Sequence, residues 1–164
     1  MSDNYIVING KRAELTEEQL KALGIETRKN PFRRVVKNGE YYYINGTDRV
    51  EPLSDTNGVV DNDLHRIVNY FNDKEFAEQV ALHQLLYRKL LKFAYDNGCE
   101  DTAEWNCENE HWLIIYYKLD NDFGVVNMEV AKELSVYFST EEGASRAINE
   151  VIRPFMKEHP EFVW

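Results

Sequence analysis

The chain has 164 residues, a formal net charge of −10 and a hydrophobic fraction of 43%, with 8 Phe, 10 Tyr and 3 Trp. This composition excludes a mainly disordered chain, and no apolar run approaches the ~20 residues that a membrane span needs. Two cysteines and an N-terminus without a signal-peptide pattern favour a soluble protein of a reducing cytoplasm. We expect one domain, residues 1–164.

The N-terminal segment predicts a hairpin followed by a short helix. Asn9-Gly10 separates the strands Tyr5–Ile8 and Lys11–Leu15, because Asn-Gly supplies the positive φ of a type I′ turn. Thr16 and Gln19 have capping-box spacing, which opens a helix that Gly24 closes. We expect residues 1–30 to form an appended subelement, with 25–31 as a linker.

A second hairpin is predicted around Asn38-Gly39. Its strands would be Phe32–Lys37 and Glu40–Ile44, and a turn into Val50–Leu53 would complete a three-stranded meander. Residues 54–63 are polar and predict a loop. The run Leu64–Phe71 predicts a further strand.

The segment Asn72–Gly98 predicts a long central helix. Asn72 with Glu75 fits a capping box, and Gly98 suits the left-handed position after a helix. Two apolar stripes at helical spacing indicate a helix covered on more than one side. The stripes are Phe76, Val80, Tyr87, Leu91 and Ala94, and beside them Leu82, Leu86, Leu90 and Phe93.

The C-terminal half predicts strands and one more helix. The strands are His111–Leu119, Phe123–Met128 and Leu134–Phe138. Ser139 opens a helix that runs to about residue 157, which Pro154 should kink or shorten. We expect the apolar tail to fold back onto the body. The fold class is therefore α+β, with antiparallel β-hairpins and sheet packed on the central helix and the C-terminal helix.

Charge is distributed unevenly along the chain. Residues 1–50 carry nine Lys and Arg against seven Asp and Glu, whereas residues 51–164 carry ten against 22. The one basic patch is Arg28, Lys29, Arg33 and Arg34, which fits a solvated loop better than a phosphate contact because no aromatics interleave it.

The segment Asp96–Asp122 has eight acids and one base, Lys118. A solvated loop is the ordinary interpretation. The acids lack the spacing of a calcium loop, and sequence cannot show whether two of them face each other as general acid and base. The sharper hypothesis is a partner-binding surface that imitates the charge of nucleic acid. Its candidate residues are Glu100, Asp101, Glu104, Glu108, Glu110, Asp120 and Asp122.

No catalytic motif is present. Cys99, Cys107 and His111 lack the close cysteine pair and the fourth ligand of a structural zinc site. P-loop, dinucleotide-binding, nucleophile-elbow and zinc-protease motifs are absent. We therefore expect no catalytic residue, no metal and no cofactor, and we interpret the protein as a non-enzyme.

Several segments resemble a family of uncharacterised phage and prophage proteins of low-GC Gram-positive bacteria. They are Tyr5–Lys11, Leu15–Gln19, Lys29–Phe32, Gly39–Tyr43 and Pro154–Trp164, so the similarity runs nearly end to end. These motifs are structural and carry no functional residue. The resemblance implies a phage-borne accessory protein acting in the host cytoplasm, a class that includes inhibitors of host defence such as anti-CRISPR proteins.

The function hypothesis is an acidic inhibitor that binds a nucleic-acid-handling defence protein, such as a CRISPR effector nuclease, by nucleic-acid mimicry. The first alternative is a phage structural or assembly protein. The second is an enzyme of unrecognised type. Direct nucleic-acid binding is not expected, because the chain is acidic.

Overall fold

The computed structural model describes residues 5–24 and 30–164. Most of the predicted linker 25–31, with Arg28 and Lys29, lies outside the described residues. Antiparallel strands in small sheets accompany a long central helix and a C-terminal helix, so the α+β prediction is confirmed. The elements are β1 (Tyr5–Ile8), β2 (Lys11–Glu14), α1 (Glu17–Ala22), β3 (Glu40–Ile44), β4 (Val50–Ser54), α2 (Val59–Arg66), α3 (Lys74–Asp96), β5 (His111–Tyr117), β6 (Asp122–Met128), β7 (Tyr137–Phe138), α4 (Glu141–Ala147), a π-helical turn (Ile148–Ile152) and α5 (Arg153–Glu158).

The predicted N-terminal hairpin and the Thr16–Gln19 capping box are confirmed. Strands β1 and β2 pair antiparallel, and Asn9 and Gly10 have φ values of 49° and 76° at the turn between them. The Thr16 N–H donates to Gln19 Oε1 at 2.9 Å, and the Gln19 N–H donates to Thr16 Oγ1 at 3.2 Å. Local turn and cap chemistry therefore defines this part of the fold.

The predicted three-stranded meander is wrong in its first strand. Strands β3 and β4 form a hairpin, but residues 32–37 are turn and irregular structure. Tertiary contacts hold these residues out of a strand. Arg34 points inward to the carboxylate of Asp55, and the Tyr70 hydroxyl accepts the Val35 N–H at 3.2 Å. The second neighbour of β3 is Phe71, which exchanges two backbone hydrogen bonds with Tyr42.

The predicted strand Leu64–Phe71 is also wrong, because its first residues belong to α2. The Asp61 carboxylate caps this helix by accepting the Gly58 N–H at 2.9 Å, together with the N–H and hydroxyl of Thr56. This local capping outweighs the strand preference of a run rich in β-branched and aromatic residues. Val68, two residues after the end of the helix, has φ +60°, in the left-handed region.

The central helix α3 begins one residue later than predicted. Asp73, rather than Asn72, caps it by accepting the Phe76 N–H at 3.0 Å. Gly98 adopts φ +60° after the helix, as predicted. Of the two stripes, the one centred on Leu86 is largely buried, whereas several residues of the other are exposed. The exposed ones are Phe76, Tyr87 and Leu91.

The main core lies between a three-stranded sheet, in the order β6-β5-β7, and the helices α3, α4 and α5. Strands β5 and β6 match their predictions closely, but β7 is shorter than the predicted Leu134–Phe138. The helix cap is Thr140 instead of Ser139, and its Oγ1 accepts the Gly143 N–H at 3.1 Å. The π-helical turn immediately precedes Pro154, where the predicted irregularity falls.

The C-terminal tail folds back, as predicted for its apolar residues. Phe162 is buried, and the Gln79 side chain on α3 hydrogen-bonds both the Glu161 carbonyl and the Val163 N–H. Among the described helices, none combines the length and the apolar character that crossing a membrane requires.

Candidate functional site

Exposed carboxylates gather at the end of the sheet where β5 begins. Residues 101–110 form an irregular loop between α3 and β5, and Glu104, Glu108 and Glu110 are exposed on it. The strand register brings two further chain segments to this end, since Met128 lies opposite His111 and Phe138 lies opposite Trp112. We call this surface the acidic end. It consists of Glu104, Glu108, Glu110, Glu129, Glu141 and Glu142, all exposed.

The carboxylates of the acidic end are exposed to solvent. None of them forms an ion pair with a cation of the described residues. The nearby cation Lys132 lies over the Trp105 ring, with Nζ 5.4 Å from the ring centroid. Six like charges at one end of a domain create a local negative potential that attracts basic surfaces.

An aromatic contact between the half-buried Trp105 and the buried His111 anchors the loop that carries three of these residues. The Trp105 ring stacks on the His111 imidazole, with centroids 3.8 Å apart and planes within 4°, and it meets Tyr137 edge-on at 5.1 Å. Trp105 thereby packs against the body of the protein. A hydrogen bond within the loop also stabilises it, because the Asn109 side-chain amide donates to the Glu104 carbonyl at 2.8 Å.

His111 is fully buried beneath this loop. Its Nδ1 lies 2.8 Å from Asp101 Oδ2, whereas its Nε2 has no hydrogen-bond partner among the described residues. The Asp101–His111 contact joins the loop to the first residue of β5. Together with Trp105 it gives the loop a fixed path.

The structure divides the seven predicted contact residues into three groups. Glu104, Glu108 and Glu110 lie together at the acidic end. Asp101 turns inward to His111, and one carboxylate oxygen of Glu100 is buried without a partner among the described residues.

Asp120 and Asp122 form the third group, at the opposite end of β5. A seven-residue strand is roughly 20 Å long, so they are far from the acidic end. Asp122 accepts the Phe123 N–H and pairs with Arg153 at 2.7 Å, and these two contacts lower its pKa.

Sequence reasoning missed Glu129, Glu141 and Glu142. They lie outside the acidic segment 96–122, and only the strand register places them beside it. Their positions next to strand ends were the one sign in the sequence that could have found them. Glu129 directly follows a strand, and Glu141 and Glu142 open the helix that comes after the next strand.

Cys99, Cys107 and His111, whose spacing in the sequence does not suit a zinc site, do not form a metal-ligand cluster in the described residues. Within residues 5–24 and 30–164, no three ligand side chains converge on a cation position. Cys99 is buried and Cys107 is exposed, while the Nδ1 of His111 is taken by Asp101. Burial raises the pKa of the Cys99 thiol, which makes it a poor thiolate ligand or nucleophile.

A second group of polar side chains is buried between the β3–β4 hairpin and α2. Asp55 accepts hydrogen bonds from Arg34 Nε at 2.6 Å, Arg34 Nη2 at 2.9 Å and the Tyr70 hydroxyl at 2.9 Å. Asp61 accepts from the Tyr41 hydroxyl at 2.8 Å. Since both carboxylates are satisfied internally, this network stabilises the fold and presents no open ligand position.

The same network includes Arg34, one of the four cations of the predicted basic patch. Arg34 is committed to Asp55, and it also donates from Nη1 to the Asn62 side chain at 2.7 Å. Arg33 is exposed, and the other two cations lie outside the described residues. Arg34 therefore serves the interior of the protein instead of a binding surface.

Comparison with protein-family models, curated proteins and solved structures finds no match to this chain. The resemblance to phage and prophage proteins stays a hypothesis drawn from the sequence.

Proposed function

We propose that this chain is a phage-encoded accessory protein that binds and inhibits a basic, nucleic-acid-handling defence protein of the bacterial host. The observation that supports the proposal is the acidic end, where six exposed carboxylates lie without an ion-pairing cation among the described residues. A nucleic-acid-binding groove is basic and built to neutralise phosphates, so it is the class of surface that such carboxylates fit.

The contact would fall on part of the acidic segment Asp96–Asp122 that the sequence indicated. Glu104, Glu108 and Glu110 would approach the partner, joined by Glu129 and the start of α4. Asp120 and Asp122 would not take part in the same contact, because they lie at the far end of β5. An inhibitor acting in this way needs no catalytic group, no metal and no cofactor.

The test is affinity capture from a nuclease-treated lysate of a Gram-positive host that contains a CRISPR effector nuclease. Wild-type protein should recover a nucleic-acid-binding enzyme in stoichiometric amount, and added DNA should compete with it. The triple variant Glu104→Lys, Glu108→Lys, Glu110→Lys should lose this recovery.

A second triple variant provides the matched control. Glu14→Lys, Glu158→Lys and Glu161→Lys change the net charge by the same amount at exposed positions that are not part of the acidic end. This variant should still capture the enzyme. Capture that survives the Glu104, Glu108 and Glu110 substitutions would refute the proposed surface, and recovery of virion proteins alone would favour the assembly alternative.

A further inference from the structure

Two of the four outer strand edges in the β3–β4 hairpin and the three-stranded sheet, those of β3 and β7, are closed by other parts of the chain. On β3, Tyr42 and Phe71 exchange backbone hydrogen bonds of 2.7 and 2.9 Å. The Asn69 side chain bonds both the N–H and the carbonyl of Ile44, at 2.8 Å each, and so imitates a neighbouring strand. On β7, the Ser139 N–H donates to the Cys99 carbonyl at 3.0 Å.

Strand β4 is protected by its composition. Pro52 has no N–H to offer, and Glu51 adds a charge, which are two of the usual devices that prevent edge-to-edge pairing. The N-terminal strand β2 likewise carries Lys11, Arg12 and Glu14 among its four residues.

Strand β6 has none of these protections. It pairs with β5 along all seven residues, and no backbone hydrogen bond joins it to any other part of the described chain. Residues 123–128 contain no charged residue and no proline. The one charge of the strand, Asp122, is already engaged by Arg153 and by the Phe123 N–H. Apart from the Phe123 N–H, which donates to Asp122, the outer edge of β6 over residues 123–128 thus offers uncharged backbone donors and acceptors that bond to no other segment of the described chain.

We propose that β6 pairs antiparallel with β6 of a second copy of this chain, which extends the three-stranded sheet across a twofold axis. Two identical antiparallel strands are self-complementary about such an axis. Their pairing brings no like charges together along residues 123–128. The other strand edges of the β3–β4 hairpin and of the three-stranded sheet are closed or guarded, so within these two sheets β6 is the edge most open to pairing with a second copy.

The same geometry sets the strength of the association. Seven residues per copy are far fewer than the roughly 20–30 per side of a standard interface, so the dimer is weak and concentration-dependent. Each copy also carries a net charge of −10, which opposes association at low ionic strength. Added salt screens this repulsion and should raise the dimer fraction.

The test is sedimentation equilibrium of the full chain up to about 1 mM, at low and at moderate salt. The mass should rise from 19.3 kDa toward twice that value. Val126→Lys places a cation at the β6 edge and should lower the association constant at least about tenfold. Val60→Lys makes the same change on α2, where Val60 is 61% exposed, and should leave association unchanged.

Hydrogen exchange keeps the proposal testable if Val126→Lys fails to fold. In the wild-type protein, the amides of residues 123–128 should become more protected as concentration rises, and those of β4 should not. A chain that stays at 19.3 kDa at the highest concentration would overturn the proposal. Dimerisation that Val126→Lys does not weaken, or β6 amides that do not respond to concentration, would do the same.

Discussion

The rings of Tyr41 and Tyr70 stack face to face, with centroids 3.9 Å apart and planes within 13°, and their hydroxyls donate to different buried carboxylates. Tyr41 donates to Asp61 in the cap of α2, and Tyr70 donates to Asp55 at the end of the β3–β4 hairpin. One aromatic pair therefore couples the helix to the hairpin, and Arg34 balances the charge of Asp55.

Asp55 should make the stability depend on pH in the acid range. Hydrogen bonds from Arg34 hold the pKa of Asp55 well below its usual range, although burial opposes this shift. A carboxyl with a lowered folded pKa adds stability above its unfolded pKa and loses it as pH falls through the folded pKa. The free energy of unfolding, measured with urea, should therefore fall as pH drops below about 4.

Asp55→Asn should lower the stability at neutral pH and flatten this acid dependence, because the titrating group is gone. Asp63→Asn removes an exposed carboxyl of α2 and should change neither. An acid dependence equally steep in Asp55→Asn would show that other carboxyls cause it.

Tyr70 should make the stability depend on pH in the alkaline range, with the opposite sign. Burial raises the pKa of Tyr70 to about 12, and its hydrogen bond to Asp55 acts in the same direction. A raised folded pKa adds stability below the unfolded pKa, about 10 for tyrosine, and this stability is lost as pH rises from there toward the folded value. Tyr70→Phe should flatten the fall in unfolding free energy between these limits, and its alkaline absorbance titration should lack one late tyrosine. The exposed Tyr95 offers the control, since Tyr95→Phe should leave the stability profile unchanged.

Local patterns predicted the elements whose determinants are adjacent in sequence. Asn9-Gly10 defined the first hairpin, and Gly98 defined the end of α3. Helix α2 was missed because its cap depends on Asp61, three residues beyond Gly58, in a run that otherwise favours a strand. The inward position of Arg34 depends on a partner 21 residues away, and no periodicity encodes that contact. Only half of the residues at the acidic end could be grouped from the sequence. Glu104, Glu108 and Glu110 are neighbours along the chain. Glu129, Glu141 and Glu142 lie beside them only through strand register.

Val68 is a site where the chain should accept a stabilising substitution. It follows α2 at φ +60°, and the Asn69 N–H donates back to the Leu64 carbonyl at 2.9 Å, as in a Schellman motif. A β-branched residue is strained in this region, where glycine is favoured. Val68 is 59% exposed, so little packing is lost on its removal.

We therefore expect Val68→Gly to raise the unfolding free energy by about 1 kcal/mol, measured with urea. Ile67→Gly, one residue earlier at φ −87°, should lower it instead. A destabilised Val68→Gly protein would mean that contacts of the Val68 side chain outweigh the backbone strain.

Leu86 should be far more sensitive to substitution than Leu91 on the same helix. Leu86 is 3% exposed and belongs to the main core cluster, whereas Leu91 is 38% exposed. Leu86→Ala should cost about 2–5 kcal/mol of unfolding free energy, through lost burial and the cavity left behind. Leu86→Asp should prevent folding, as judged by circular dichroism, and Leu91→Asp should fold. A cooperative thermal transition in Leu86→Asp would contradict the position of α3 at the centre of the core.

If the acidic end binds a partner as proposed, substituting Trp105 should change the affinity for the partner although the charge of the protein stays the same. Its stack on His111 fixes the loop that carries Glu104, Glu108 and Glu110. Trp105→Ala should free this loop and weaken capture of the partner by about tenfold, because the binding step must then order it. Trp105→Phe keeps an aromatic ring over the imidazole and should retain most of the affinity. Hydrogen exchange of residues 101–110 in the free protein should rise in Trp105→Ala alone, which tests the anchor independently of any partner. Loop amides that exchange equally in both variants would show that Trp105 does not hold the loop, whatever the outcome for binding.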